Sequence, residues 1–186
     1  MEIDHELNPF NIKKLVNNGH TTRVLFESEQ DTFICEVIGP SYQQSPECQI
    51  NIKLDGNEIL KREIYNLLKH LIFTETYQKQ SFTVIFDQCP PYSKAFNALY
   101  YSLLLHGVRM KDSFTSCSAF LDDNKRLVVD RNEKQWSAKI NLVYSINLQQ
   151  ILCSDVMGQF NNDDLGMLIS GCISGCNQIY NFIKDL

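Results

Sequence analysis

Apolar residues along this chain recur with two periods, and the switches between them mark its elements. Over Thr22–Glu27 and Thr32–Gly39 apolar positions alternate or run together with β-branched side chains, which predicts a pair of strands, the second closed by Gly39-Pro40. Gln49–Leu54 alternates Ile50, Ile52 and Leu54, a third strand, and Asp55-Gly56 is a turn signal. The period then changes. Ile59, Leu60, Ile64, Leu67, Leu68, Leu71 and Ile72 fall on one side of a helix over Glu58–Thr74. Ser81–Phe86 reads as a strand that runs into the Pro-Pro loop Asp87–Tyr92. The helix Ser93–Leu105 that follows is apolar almost all round, a pattern that implies burial between layers rather than a surface position. Gly107 stands where it can end that helix in the left-handed conformation.

The flanking segments are read in the same way. Asn8–Asn18, with Phe10, Ile12 and Leu15 apolar, is expected to form a short helix. Thr115–Leu121 and Arg126–Val129 are strands joined by the tight turn Asp122–Lys125. Lys139–Asn147 and Ile151–Val156 are further strands, the latter followed by a turn at Met157-Gly158-Gln159. A last helix starts after an Asn161-Asn162 cap, with Asp163 and Asp164 in the turn where the helix dipole favours acids. Gly171 and Gly175 cost it roughly 1 kcal/mol each against Ala, so another backbone is expected to approach closely there. The order predicts an α+β layered fold, mixed β-sheets packed with three long helices. It is expected to be one domain over 1–186, with 1–20 as a short N-terminal segment.

Composition narrows the function without naming it. A chain of 186 residues buries roughly 70% of its unfolded surface and needs no staples to fold. A net charge of -5 argues against a stand-alone nucleic-acid binder, while leaving room for a local basic patch. The seven cysteines lack framework spacing, and small buried thiols in a reducing compartment are expected. Cys172 and Cys176 are four apart on a helix with no second pair to complete a zinc site, so no metal and no cofactor are expected. The first twenty residues lack an apolar core flanked by basic residues, and there is no run of about twenty apolar residues. The expectation is a soluble, intracellular protein without a membrane partner.

Several local sequences in this order carry a resemblance. Asp31–Pro40 ends a strand in Gly-Pro, and the helix from Glu58 leads through Tyr77 into a strand. Asn97-Ala98 is followed by Leu103–Asp112, an aliphatic run turning at Gly107 with Met110 beyond it. Leu127–Asp130 is a strand ending in an aspartate, and Gly171–Ile179 lies in the last helix. Together these resemble the RNase PH family (the ribosomal protein S5 domain 2-like fold), over about Thr22 to Leu186. The likeness is greatest to the non-catalytic RNase PH-like ring subunits of the eukaryotic exosome, and among them the shortest.

The resemblance implies phosphorolysis in active members. Arginines and loop backbone would hold phosphate, and carboxylates would place a metal or a proton. Here the positions of the phosphate loop carry Pro90, Pro91, Tyr92 and Ser93, the arginine falling near Tyr92. The segment Asp55–Glu58 has no arginine, and Trp136 and Lys139 stand where two further aspartates are implied. Lys139 would invert the local charge; Asp130 reads as a turn carboxylate. Met1–His20 has no Arg-x-Asp-Gly-Arg motif, which favours the shortest ring subunit. No catalytic residue is therefore assigned.

What the resemblance implies is a structural subunit of the exosome ring, supporting rRNA processing and mRNA decay in nucleus, nucleolus and cytoplasm. Its partners would be other RNase PH-like ring subunits, first in a heterodimer and then in a hexameric ring, with cap subunits and RNA in the pore. The alternatives are an active phosphorolytic 3′-5′ exoribonuclease whose site a neighbour completes, and a free homodimer that binds nucleic acid. Candidate RNA contacts are Lys94, Lys61, Arg62 and Arg109, with Lys111 beside them; each is also readable as part of a solvated face. Lys94 leads because it adjoins the loop. Phe96, Tyr100 and Tyr101 read as core rather than a stacking platform. Pro90-Pro91 is either a partner-binding element or a rigid filler, and Trp136 either an interface anchor or a cover for the core edge.

Overall fold

The computed structural model describes residues 10–130 and 136–186. They form two compact units, Phe10–Ser113 and Phe114–Leu186.

The first unit holds strands β1 (Phe10–Asn17), β2 (Thr21–Ser28), β3 (Thr32–Tyr42), β4 (Gln49–Lys53) and β5 (Gln80–Phe86), with helices α1 (Glu58–Leu71) and α2 (Tyr92–His106). The strands make one sheet in the order β1-β2-β3-β5-β4. β4 and β5 run parallel, joined by the α1 crossover, and the other pairs are antiparallel. Alternation decides the buried face. Val24 and Phe26 of β2 pair with Cys35 and Phe33 of β3, and Val84 and Phe86 of β5 continue that face. All six are buried. Phe10, Phe26, Phe33 and Phe86 form a chain of ring contacts across it, with centroids 5.0–6.3 Å apart.

α1 buries the stripe Leu60, Ile64, Leu67, Leu68 and Leu71, each worth about 2 kcal/mol of burial, and Asn57 caps its start through the Leu60 N–H. It ends earlier than the apolar spacing suggests. Ile72 leaves the helix to form an antiparallel bridge with Met110, and a 3-10 turn covers Thr74–Tyr77. α2 is buried on nearly every side, Phe96, Tyr100 and Tyr101 included, and Gly107 ends it at φ 75°.

One expected element is corrected. Phe10–Asn17 is a strand, not part of a helix over Asn8–Asn18, of which residues 8 and 9 lie outside the described set. The segment pairs with β2 from Phe10↔Ser28 to Asn17↔Thr22, and that ladder outweighs a weak helical pattern in which Leu15 and Val16 stay exposed. β3 also runs past Gly39-Pro40, to Tyr42, by way of a register shift. A Cβ at Gly39 would lie 2.6 Å from the Ser81 carbonyl, so that position needs glycine.

The second unit has β6 (Phe114–Leu121), β7 (Leu127–Val129), β8 (Ala138–Ser145) and β9 (Gln150–Gly158), followed by α3 (Asn162–Lys184). The sheet order is β7-β6-β8-β9, antiparallel throughout, and β9 continues through the Met157-Gly158 position expected to turn. A capping box between Asn161 and Asp164 starts α3, and Lys125 bonds the Asp164 carboxylate at 2.7 Å. Leu168, Cys172, Cys176 and Ile179 are fully buried. Thr115 donates to the Cys176 carbonyl at 2.8 Å, which fixes the helix over β6. The close approach expected at the two glycines is to side chains rather than to backbone: Leu127 meets Gly171, and Cys117 and Val129 meet Gly175. Among the described residues, no helix is long and apolar enough to cross a membrane.

Candidate functional site

Two places carry the chemistry that the sequence singles out, one in each unit. The first is the start of α2. Asp87 ties the preceding loop to β3, its carboxylate accepting from the Ile34 N–H at 2.7 Å and its N–H donating to the Ile34 carbonyl. Pro90 is buried and Pro91 caps the helix without a side-chain hydrogen bond. Neither proline has an N–H, so two of the backbone donors a phosphate-binding loop would use are removed. Ser93 is buried, and the Tyr92 ring packs against Phe96 at 5.0 Å. Cys89 is exposed, and the seven cysteines are free thiols.

Lys94, one of the candidate RNA contacts, is the cation of this first turn. Its ammonium lies 2.6 Å from the Asp31 carboxylate and 3.1 Å from the Ser28 hydroxyl, with the residue 8% exposed. It is paired to a neighbouring hairpin and nearly buried. Lys61 is paired to Glu58 on its own helix at 3.3 Å. Arg62 and Arg109 are exposed, and no ion pair among the described residues involves them.

The second place is a row of side chains across β6, β8 and β9. The Ser118 hydroxyl donates to the Asn141 amide oxygen at 2.8 Å, and the Asn141 amide donates to Asp155 at 3.3 Å. Lys139, two residues before Asn141 on the same strand, sits opposite Phe120 with its ammonium 5.1 Å from the ring centroid. Burial pushes its pKa down, and the Asp155 charge partly offsets this. Trp136 stands at the entry to β8, 36% exposed. Asp130 follows β7 at φ 54°, its N–H donating to the Ser118 carbonyl at 2.7 Å. The residues between Asp130 and Trp136 lie outside the described set.

Sequence reading missed Asp155. It sits in an apolar run, and only the β8–β9 register, which puts Asn141 opposite it, reveals that it faces the Lys139 neighbourhood. Among the described residues no group of three His, Cys, Asp or Glu side chains could hold a metal ion. The row offers one amide-held carboxylate beside a half-buried lysine, while the α2 start offers a cation already neutralised.

The two sheets and three helices make this an RNase PH-like fold. The structure is similar to rice (Oryza sativa) Rrp46, with a TM-score of 0.84 at 16% identity, covering 98% of this chain and 96% of that one. It is also similar to a subunit of an Archaeoglobus fulgidus exosome with RNA bound to the active site, with a TM-score of 0.68 at 11% identity over 95% and 89% of the two chains. An archaeal exosome core gives 0.67 at 12% identity over 97% and 88%. No protein-family model and no curated protein matches the sequence, so the likeness lies in the fold.

Proposed function

We propose that this chain is a non-catalytic structural subunit of an exosome core ring, supporting 3′-to-5′ RNA degradation and processing by a separate nuclease. The fold it shares with rice Rrp46 over nearly the whole of both chains supports the ring role. The non-catalytic half of the reading is carried by one observation, the state of the α2 start. A phosphorolytic site must hold an inorganic phosphate dianion against an anionic RNA backbone, which demands unneutralised cations and free donors. Here two prolines lead into the helix, and its first turn carries a lysine bonded to Asp31. On this reading the partners are other RNase PH-like ring subunits, in a heterodimer and then a hexameric ring, with cap subunits and RNA in the pore. The proposed location is nucleus, nucleolus and cytoplasm.

A second reading, a composite site completed by a neighbour, draws on Asp155, a carboxylate beside Lys139. One assay separates them. Single-stranded RNA, inorganic phosphate and magnesium are incubated with the isolated chain and with its heterodimer, and nucleoside diphosphate release is measured. The structural reading expects none from the isolated chain, and release there contradicts it. Release by the heterodimer that Asp155→Asn abolishes would establish the composite site instead.

A further inference from the structure

The segments that follow α1 and α2 lie side by side in the first unit. Ile72 and Met110 form an antiparallel bridge. The Phe73 N–H donates to the Arg109 carbonyl at 3.2 Å, and the Lys111 N–H to the Leu71 carbonyl at 2.7 Å. Alternate residues of such a pair share a side. Ile72 is buried, and Phe73, Arg109 and Lys111 are all exposed. The Lys111 ammonium lies 6.0 Å from the Phe73 ring centroid. Arg109 is held further by its N–H, which donates to the Tyr77 hydroxyl at 2.9 Å, and the Tyr77 ring packs edge-on against Phe82. The result is an exposed phenyl ring with the Lys111 ammonium near it and Arg109 across the backbone pair from Phe73.

Among the described residues neither cation is in an ion pair. The ion pairs among the described residues use Lys13, Arg23, Lys61, Lys94 and Lys125, and leave Arg109 and Lys111 out. In a chain of net charge -5, two neighbouring exposed cations outside the described ion pairs, one of them near an exposed ring, run against the general balance. Single-stranded RNA matches this combination. A base has a flat face to stack on the ring, and the flanking phosphates suit the cations. An acidic peptide matches only the charge.

We propose that Phe73, Arg109 and Lys111 form a contact site for single-stranded RNA, with a base stacked on Phe73 and backbone phosphates on the two cations. The choice of RNA rests on the reading of the chain as an exosome subunit. The site keeps Arg109 from the sequence candidates, sets Lys94 and Lys61 aside, and adds an aromatic residue that basic patterning does not reveal.

The test is fluorescence anisotropy of a labelled oligouridine titrated with the full chain over a range of salt concentrations. The wild-type chain is expected to bind at low salt. The double variant Arg109→Gln, Lys111→Gln should weaken binding about tenfold or more, and flatten the slope of log affinity against log salt by about 1.4, at about 0.7 per phosphate contact. Phe73→Leu keeps the apolar bulk and should weaken binding roughly fivefold or more with the slope unchanged. All variants should keep the wild-type melting temperature. Absence of binding by the wild-type chain overturns the proposal, as do variants with unchanged affinity and slope. Polyglutamate that binds as tightly as RNA and displaces it also overturns it, in favour of an acidic protein partner. Recovery of ring subunits with the triple variant is measured alongside. Normal recovery with failed RNA titration removes this site and leaves the ring reading intact; failed recovery of wild type and variant alike, with RNA binding as expected, removes the ring reading alone.

Discussion

The ammonium of Lys94 in α2 lies 2.6 Å from a carboxylate oxygen of Asp31 at the tip of the β2–β3 hairpin, with side chains 10% and 24% exposed. A lysine in the first turn meets the positive end of the helix dipole, and this helix has no acidic residue there. Asp31 supplies the missing negative charge from another element. Asp31→Asn leaves the more deeply buried partner charged at the wrong end of a helix, whereas Lys94→Met leaves a carboxylate with better access to water. Both should lower stability, by about 1–3 kcal/mol given the partial exposure, with Asp31→Asn the more costly. Urea unfolding of the two variants checks this, and the reverse order contradicts it.

Gly175 sets the distance between α3 and β6. A Cβ there would meet the Cys117 sulfur, and would lie 3.0 Å from a Val129 methyl carbon. Helix propensity alone favours Gly175→Ala by about 1 kcal/mol, yet the variant should be destabilised by about 1–3 kcal/mol through overpacking. Cys117→Ala in the same chain should recover part of that loss. A double-mutant cycle in chemical denaturation measures the coupling, and additive effects would rule out this contact as the cause.

The buried thiols give a pH dependence with a definite sign. Burial pushes Cys35 up to about 12 and raises Cys176 well above its usual value. A hydrogen bond with Cys172, together with burial, raises Cys117 likewise. Unfolded thiols ionise near pH 8.5. Above that the unfolded chain binds fewer protons than the folded one, so stability falls as pH rises. Partial burial raises Cys48 as well, and Lys139, whose pKa is lowered, acts in the opposite direction, as one group against four. Unfolding free energy should therefore decline between about pH 8.5 and 10.5, and Cys35→Ala should flatten the decline. In the native state iodoacetamide should label exposed Cys89 before any of the four buried thiols; early labelling of Cys35 would contradict this account of the core.

What could be read from the sequence follows the range of the physics involved. The stripe Leu60–Leu71 and the alternation through Val24 and Phe26 are local patterns, and they locate the start of α1 and both ends of β2 within a residue. The loss of donors at Pro90 and Pro91 is local as well, because it is a property of proline itself. Phe10–Asn17 reads as part of a helix from a weak apolar spacing, whereas the ladder to β2 decides its conformation. The end of α1 at Leu71 depends on Met110, and the fate of Lys94 on Asp31, partners far away in sequence. Asp155 and Phe73 were missed for the same reason: each gains its neighbours through strand register rather than sequence proximity.

The central claim is that this chain is built into an exosome core ring. The direct measurement is affinity purification of the tagged endogenous protein under native conditions, with mass spectrometry of what accompanies it. Co-recovery of other RNase PH-like ring subunits together with cap subunits is the expected result. Recovery of the chain alone, or only as a homodimer, would contradict it.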